Sequence, residues 1–351
     1  MMNFYKGKRV LLTGHTGFKG TWMAKILLLA GAEVLGYSTC RERSLSLFQR
    51  SGVERDITHV KGDVRDFGHM LEVFNTFQPE MVFHLAAQPI VRESYADPRY
   101  TYETNVMGTV NVLECIRQTK SVKSAVLVTT DKVYRNAEQI RGFREDDVLD
   151  GFDPYSNSKS CAELATASYR RSFSDLPPIS TVRAGNVIGG GDFAKDRIIP
   201  DCLRSVQRGE PIVVRNPHSV RPYQHVLEPL FAYLLIAEKQ YENPALAGGY
   251  NIGPEEGDCV TTGELVELFC EKWGEGARWV DGSEPNAPHE ARFLKLDCSL
   301  VKECFGWRPR WNIDTCMMSV VRFSKLWLKR RRISSAMSDE IHSYLNESYE
   351  R

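Results

Sequence analysis

Thr129-Thr130-Asp131-Lys132 ends the apolar run Ser124-Ala-Val-Leu-Val128, and a Tyr-x-x-x-Lys pair, Tyr155 and Lys159, follows shortly afterwards. A phenol and an ammonium one helical turn apart can share a face, so the cation favours the phenolate and makes Tyr155 a candidate base near neutral pH. Hydride transfer needs little more. The hydroxyl of Thr130, the acid Asp131 and the amine Lys132 add what the removal of one proton and the expulsion of a hydroxide elsewhere on a substrate would need. The pattern points to redox chemistry coupled to elimination. Its plainer alternatives are a strand-end cap at Thr130 and an intraloop ion pair between Asp131 and Lys132. Those two groups would titrate together, and the assignment favoured here is Asp131 as acid and Lys132 as base.

These side chains need a scaffold. From Arg9 to about Leu127 short β-branched runs alternate with amphipathic stretches, with helices expected over about Phe18–Ala30, Met70–Phe77 and Tyr100–Gln118. Such alternation predicts βαβ units: an α/β, Rossmann-type doubly wound parallel sheet. After about Thr181 the pattern turns irregular and rich in Gly and Pro, which predicts a smaller C-terminal substrate-binding domain. The expected division is 1–180 for the dinucleotide-binding domain and 181–335 mainly for the substrate domain, some of whose segments return to the core. Residues 336–351 are expected as a C-terminal tail.

Val10-Leu-Leu-Thr-Gly14-His-Thr-Gly17-Phe-Lys-Gly20 sets glycines three apart between the first strand and the first helix. Gly14 suits a tight turn, Gly17 a close approach to a pyrophosphate, and Gly20 the packing of helix on sheet. No Asp or Glu ends the second strand, Gly36-Tyr-Ser, and Arg41 and Arg43 follow, so these residues leave NAD versus NADP open; NAD is the cofactor expected. Asp63, after the third strand, could accept from an adenine amino group or cap the next helix.

The 351 residues carry 45 basic and 45 acidic side chains, so no global field favours nucleic acid or an acidic membrane. An anionic ligand must be held by a local cluster: Lys195, Arg197, Arg215 and Arg221 are candidates, since guanidinium forks suit phosphate oxygens. Nine scattered cysteines without a CxxC pair read as free thiols of a cytoplasmic protein. No signal peptide or membrane span is read at the start, no histidine spacing matches a metal site, and His84 reads as a satisfied core histidine. Lys329-Arg-Arg-Arg332 reads as surface charge near a helix C-terminus.

The blocks Thr13-Gly-x-x-Gly-x-x-Gly20, His84-Leu-Ala-Ala87, Asn105 and Tyr155-x-x-x-Lys159 resemble the extended short-chain dehydrogenase/reductases. Ala87-Gln-Pro-Ile-Val-Arg92, Asp131-Lys132, Asp153-Pro-Tyr-Ser-Asn-Ser-Lys159, Arg183-Ala-Gly-Asn-Val-Ile-Gly-Gly-Gly-Asp192 and Arg221-Pro-Tyr-Gln-His225 narrow this to the nucleotide-sugar 4,6-dehydratase branch. The resemblance implies that Gly14, Gly17 and Gly20 hold the cofactor pyrophosphate with His15 and Phe18 nearby as further cofactor-binding residues, that Asp63 and Val64 border the adenine and that Ala86 and Ala87 line the nicotinamide ribose. Tyr155 and Lys159 would bond that ribose while Thr130 meets the sugar hydroxyl. Gln88, Asn105, Asn186, Lys195, Arg197, Arg215, Arg221 and His289 are the implied substrate contacts, with Asn186 and Arg221 preferred for the diphosphate. Relatives acting on dTDP-glucose carry Asp-Glu where this chain has Asp131-Lys132, which implies CDP-glucose here. Glu93, where relatives carry leucine, adds an acid beside Arg92. The helices around 100–118 and 159–173 resemble a dimer-forming pair, so a homodimer or homotetramer is expected. The rival readings are a nucleotide-sugar 4-epimerase or NADP-dependent reductase on the same scaffold, and a non-catalytic dinucleotide-binding regulator.

Overall fold

The apolar runs become strands, seen in a computed structural model that describes residues 1–39, 46–136, 139, 141–283 and 293–347. They are β1 (Arg9–Thr13), β2 (Glu33–Ser38), β3 (Thr58–Lys61), β4 (Met81–His84), β5 (Ser124–Val128) and β6 (Ile179–Ala184). β4, β5 and β6 are buried at every residue, as parallel strands covered on both faces must be. With the strand Gly249–Ile252 they form one sheet in the order Gly249–Ile252, β6, β5, β4, β1, β2, β3, parallel throughout. β1 pairs with β2 on one side and β4 on the other, so strand order reverses there. The crevice beyond the carboxyl ends at such a point is where open α/β sheets bind ligands.

Helices cover both faces: α1 (Phe18–Leu29), α2 (Leu47–Arg50), α3 (Val53–Asp56), α4 (Phe67–Phe77), α5 (Val91–Ala96), α6 (Pro98–Tyr102), α7 (Gly108–Gln118), α8 (Pro154–Ser172), α9 (Ile198–Arg208) and α10 (Leu227–Glu242). Alternate strand residues serve alternate faces. Leu11, Val82 and Leu127 join Phe74 of α4 and Leu113 of α7, whereas Val10, Phe83 and Val126 join Trp22 of α1 and Leu230 of α10. The helix expected over 100–118 is α6, a π-helical turn Glu103–Met107 and α7. Asp97 caps α6 by accepting from the Tyr100 amide at 2.9 Å, and the π turn points Thr104 and Asn105 inward.

Later segments of the chain join and pack on this sheet. Gly249–Ile252 is its edge strand, and α10 is tied to β5 by Ser124 Oγ donating to the Ala237 carbonyl at 2.8 Å and Gln240 Nε2 donating to the Ala125 carbonyl at 2.8 Å. The rest of that half includes α9, the helix Thr262–Trp273 and the paired strands Ile212–Val214 and Trp279–Asp281. Its Leu203, Phe269 and Trp273 belong to the same apolar cluster as Trp22, so one core serves both parts.

The tail expected at 336–351 is corrected: a helix runs from Ile333 to Asn346 and buries Ile333, Met337, Ile341 and Tyr344. That spacing gives an apolar stripe that must find a partner, and Tyr344 stacks on Phe231 of α10. Among the described residues no helix is long and apolar enough to cross a membrane, and no cluster could hold a metal ion.

Candidate active site

Gly14 turns the chain out of β1 at φ +74°, and a Cβ there would stand 2.7 Å from the Ala86 amide nitrogen. Only glycine meets both demands. A side chain on Gly20 would overlap the Gly14 carbonyl. Gly17 starts α1 without a side-chain cap, so the positive end of the helix is open to an anion, which fits a dinucleotide pyrophosphate. Gly14, Gly17, Phe18 and Gly20 line a cleft of about 2380 Å³, as do Asp63, Val64, Ala86 and Ala87.

His15 does not reach that cleft. Its ring is fully buried over Gly36, lies edge-on to Phe48 and places Nε2 2.5 Å from His59 Nδ1. Burial, with His59 second, pushes its pKa down to about 3. It therefore shapes the turn from behind rather than touching a cofactor. The carboxylate of Asp63 is held by Arg65 through four bonds of 2.7–3.1 Å, which keeps its pKa below the usual range. The helix cap is Asp66, whose side chain accepts from the His69 amide, leaving Asp63 on the cleft wall. Ser38, hydrogen-bonded to Thr16 at 2.8 Å, ends β2 on that wall; Arg41 and Arg43 lie outside the described residues.

Thr130, Asp131, Lys132, Tyr155 and Lys159 line the same cleft. Asp153 caps α8 by accepting from the Ser156 amide at 3.0 Å, which sets Tyr155 in the first turn. Lys159 Nζ donates to the Val128 carbonyl at 3.0 Å, anchoring α8 to the end of β5. Burial brings Lys159 down to about 8 against an opposing pull from Glu163. Burial also pushes the Tyr155 phenol up to about 12, against the Thr130 hydrogen bond and Arg197, and with Asp131. Thr130 does two jobs: it caps the short turn Asp131–Val133 and donates to Asp131 Oδ1 at 3.0 Å. Lys132 Nζ lies 3.1 Å from Asp131 Oδ1 and 3.4 Å from Asn186 Oδ1. Asp131 is fully buried, and its Oδ2 has no hydrogen-bond partner among the described residues. That oxygen packs on Gly185, where a Cβ would overlap it. The ion pair thus exists, in the cleft that Tyr155 also lines.

Two residues escaped the sequence reading. Lys19 lines the cleft, and burial, with Arg197 next, lowers its pKa to about 7, Asp131 opposing and Lys159 and Lys132 adding. A lysine inside the glycine turn, at the start of a buried helix, was the available signal. Glu163, one turn beyond Lys159, accepts from Thr129 at 2.5 Å, Thr181 at 2.6 Å and Arg183 at 2.8 Å. Burial alone would raise its pKa, but Arg183 and the two hydroxyls hold it below the usual range.

Of the expected substrate contacts, Gln88, Asn186, Lys195, Arg197, Arg215 and Arg221 line the cleft. Asn186 takes a left-handed φ of +37° beside Gly185. Arg197 donates to Asp192 at 2.9 Å, Arg215 pairs with Asp196 at 3.4 Å, and Arg221 is buried. Gln88 spends its amide on Thr101 and Ile90. Asn105 is a correction: it is fully buried, accepting from the Gln88 amide at 2.8 Å and donating to the Gln88 carbonyl and Ser158 Oγ. The π turn aims it at the join between the Gln88 loop and α8, where it positions both. His289 lies outside the described residues. His84 is a core histidine, bonded to Thr13 at 2.7 Å and Thr109 at 3.2 Å.

A family model described as GDP-mannose 4,6 dehydratase matches residues 11–320. The chain is 44% identical over 352 residues to a CDP-glucose 4,6-dehydratase of Salmonella typhimurium, covering 98% of each. Among solved structures, a UDP-glucose 4-epimerase complex with NAD from Thermus thermophilus superposes with a TM-score of 0.79 at 26% identity, over 90% of this chain and 99% of that one. A dTDP-glucose 4,6-dehydratase from Bacillus anthracis, in complex with NAD, shares the fold with a TM-score of 0.78 at 22% identity, over 93% and 99%.

Proposed function

The chain belongs to the GDP-mannose 4,6 dehydratase family, and from that premise we propose that it converts CDP-D-glucose to CDP-4-keto-6-deoxy-D-glucose with NAD, by oxidation at C4, loss of water across C5 and C6, and hydride return to C6. One observation carries the reading: Lys132 Nζ stands 3.1 Å from Asp131 Oδ1 in the cleft that also holds Thr130 and Tyr155. An epimerase or a reductase needs Tyr155 and Lys159 but not this pair. The 44% identity to a CDP-glucose enzyme supports cytidine as the nucleotide.

Gly14, Gly17, Phe18 and Gly20 would hold the NAD pyrophosphate, with Asp63 and Val64 at the adenine and Ala86, Ala87, Tyr155 and Lys159 at the nicotinamide riboside. When bound, NAD supplies the hydride acceptor for C4 and the donor for C6. Tyr155, as phenolate, takes the proton of the sugar O4, with Thr130 on the same hydroxyl. The charge of Lys159 favours that phenolate. The 4-keto group then acidifies the C5 proton. Lys132, as the neutral amine, takes that proton while Asp131, as the acid, gives its own to the departing C6 oxygen. The pair ends as ammonium and carboxylate, and the 3.1 Å contact is the path by which one proton crosses back from Lys132 to Asp131; as the hydride returns to C6, the proton that Tyr155 took from O4 passes by way of Lys132 to C5, which resets the phenolate. Both groups keep their summed charge through the cycle, which suits a buried carboxylate. Asn186, Arg197, Arg215, Arg221 and Lys195 would hold the diphosphate end.

Two copies would pair through α7 and α8, where Leu164 and, at their ends, Met107 and Phe173 leave apolar surface exposed; a homodimer is the smallest such assembly. The eight described cysteines are free, in keeping with a cytoplasmic setting.

Lys132→Ala is expected to keep the first half of the reaction and lose the second. On mixing with CDP-glucose it should show reduced-nicotinamide absorbance that persists, with elimination slowed by about 10²–10⁴-fold. A variant that forms 4-keto-6-deoxy product at the wild-type rate would remove the pair from the chemistry.

A further inference from the structure

Lys329-Arg-Arg-Arg332 follows the helix Ile313–Leu328, and the chain turns through Arg330 at φ +51° into the helix Ile333–Asn346. That turn packs near α2 and α3, and Arg50, Arg55, Arg330, Arg331, Arg332 and Ser334 line a cavity of about 440 Å³ separate from the catalytic cleft. Arg50 is partly spent on structure: it donates to the Trp327 carbonyl at 3.1 Å and lies 3.7 Å above the Trp327 ring. Arg55, Arg330, Arg331 and Arg332 are exposed. No carboxylate lines the cavity, and among the described residues none of the five guanidiniums forms an ion pair. Lys25 of α1 adds a sixth cation, donating to Ser334 Oγ at 3.2 Å. The helix that begins at Ile333 has no side-chain cap, so its positive end adds to the same field.

Charge complementing the end of Ile313–Leu328 explains Arg50 but not the other four. Arginines from α3 and from the turn have been brought to one hollow with nothing negative to meet them. Like charges at this spacing repel, and burial followed by Arg330 lowers the Arg50 pKa. Guanidinium forks, a serine hydroxyl and a helix N-terminus together form the donor set that phosphate groups take. The volume is that of a small-molecule site. With zero net charge on the chain, the attraction is local to this hollow and does not continue as the basic stripe a nucleic acid would track.

We propose that this cavity is a second anion site, for a small ligand carrying a diphosphate or longer phosphate chain, either free or borne on a nucleotide. It shares an element with the cofactor cleft: Phe48 of α2 packs on His15 and His59 behind the glycine turn, and Arg50, two residues on, lines the new cavity.

The test is calorimetric titration of the full-length protein with inorganic pyrophosphate, the catalytic cleft being filled beforehand with NAD and CDP. One equivalent should bind with a Kd below about 1 mM at low salt. In Arg55→Ser/Arg331→Ser/Arg332→Ser the affinity should fall by about tenfold or more, with melting temperature and turnover at wild-type values. The single variant Arg331→Glu should weaken it in the same direction. Absence of binding to the wild type, or equal binding to a folded triple variant, overturns the proposal. Repeating the titration with ATP separates the sources: equal affinity assigns the ligand to the phosphates alone, tighter binding to a nucleotide.

Discussion

In the proposed mechanism Tyr155 and Lys159 set the pH behaviour of the chemistry. Lys159 is lowered to about 8, so its ammonium is fully charged below that value and is lost as pH rises through it. Burial holds the Tyr155 phenol up at about 12 against Thr130 and Arg197, and the role proposed for the Lys159 charge is to favour its ionisation. The kcat/KM profile for CDP-glucose is therefore expected to fall on the alkaline side near pH 8. Lys159→Arg, whose guanidinium stays charged, should lower the rate but move that limb upward; a limb that stays in place would deny Lys159 the role. Glu163 has the opposite sign. Its folded pKa is depressed, so its stabilisation is complete above the unfolded value of about 4.3 and is lost as pH falls through the lower folded value. Glu163→Gln strands Arg183 in the core and is expected to cost about 3 kcal/mol near neutral pH. Urea unfolding at pH 7 and pH 4 checks it: the gap between wild type and variant should shrink at the lower pH.

At the scale of elements, the turn from β1 into α1 is the most constrained piece. Gly20→Ala would force α1 away from the Gly14 carbonyl and is expected to weaken NAD binding by about tenfold or more, read by fluorescence titration; unchanged affinity would mean the turn tolerates the shift. This turn was legible in sequence because three glycines at one spacing have a geometric meaning. The strands were legible because their apolar runs have the length of buried parallel strands. The π turn at Glu103–Met107 was not, since nothing in Glu-Thr-Asn-Val-Met distinguishes it from helix, and with it went the burial of Asn105. His15 was assigned to the cofactor from its motif position, but motif position does not say which way a ring points. Here Gly36, with no Cβ, gives the ring room below the turn. Arg50 and Arg55 were equally silent, because their convergence with Arg330–Arg332 is tertiary.

On the scale of the whole molecule, the chain closes on itself through its last helix. Tyr344 Oη donates to the buried Glu228 at 2.7 Å, and Glu228 also accepts from the Arg310 and Trp311 amides. Tyr344→Phe removes that donor and is expected to cost about 2 kcal/mol, measured by urea denaturation; a variant as stable as the wild type would make the closure incidental. The Ile333, Met337, Ile341, Tyr344 stripe was readable in the sequence, and polar neighbours disguised it as a tail. This closed scaffold carries out an internal redox cycle around an elimination. CDP-glucose deuterated at C4, incubated with the protein and catalytic NAD, tests it most directly by nuclear magnetic resonance of the product. Deuterium is expected in the C6 methyl group of a 4-keto-6-deoxy sugar, with one solvent-derived hydrogen at C5 and no net reduced cofactor. Deuterium retained at C4, in recovered glucose or its 4-epimer, would contradict it.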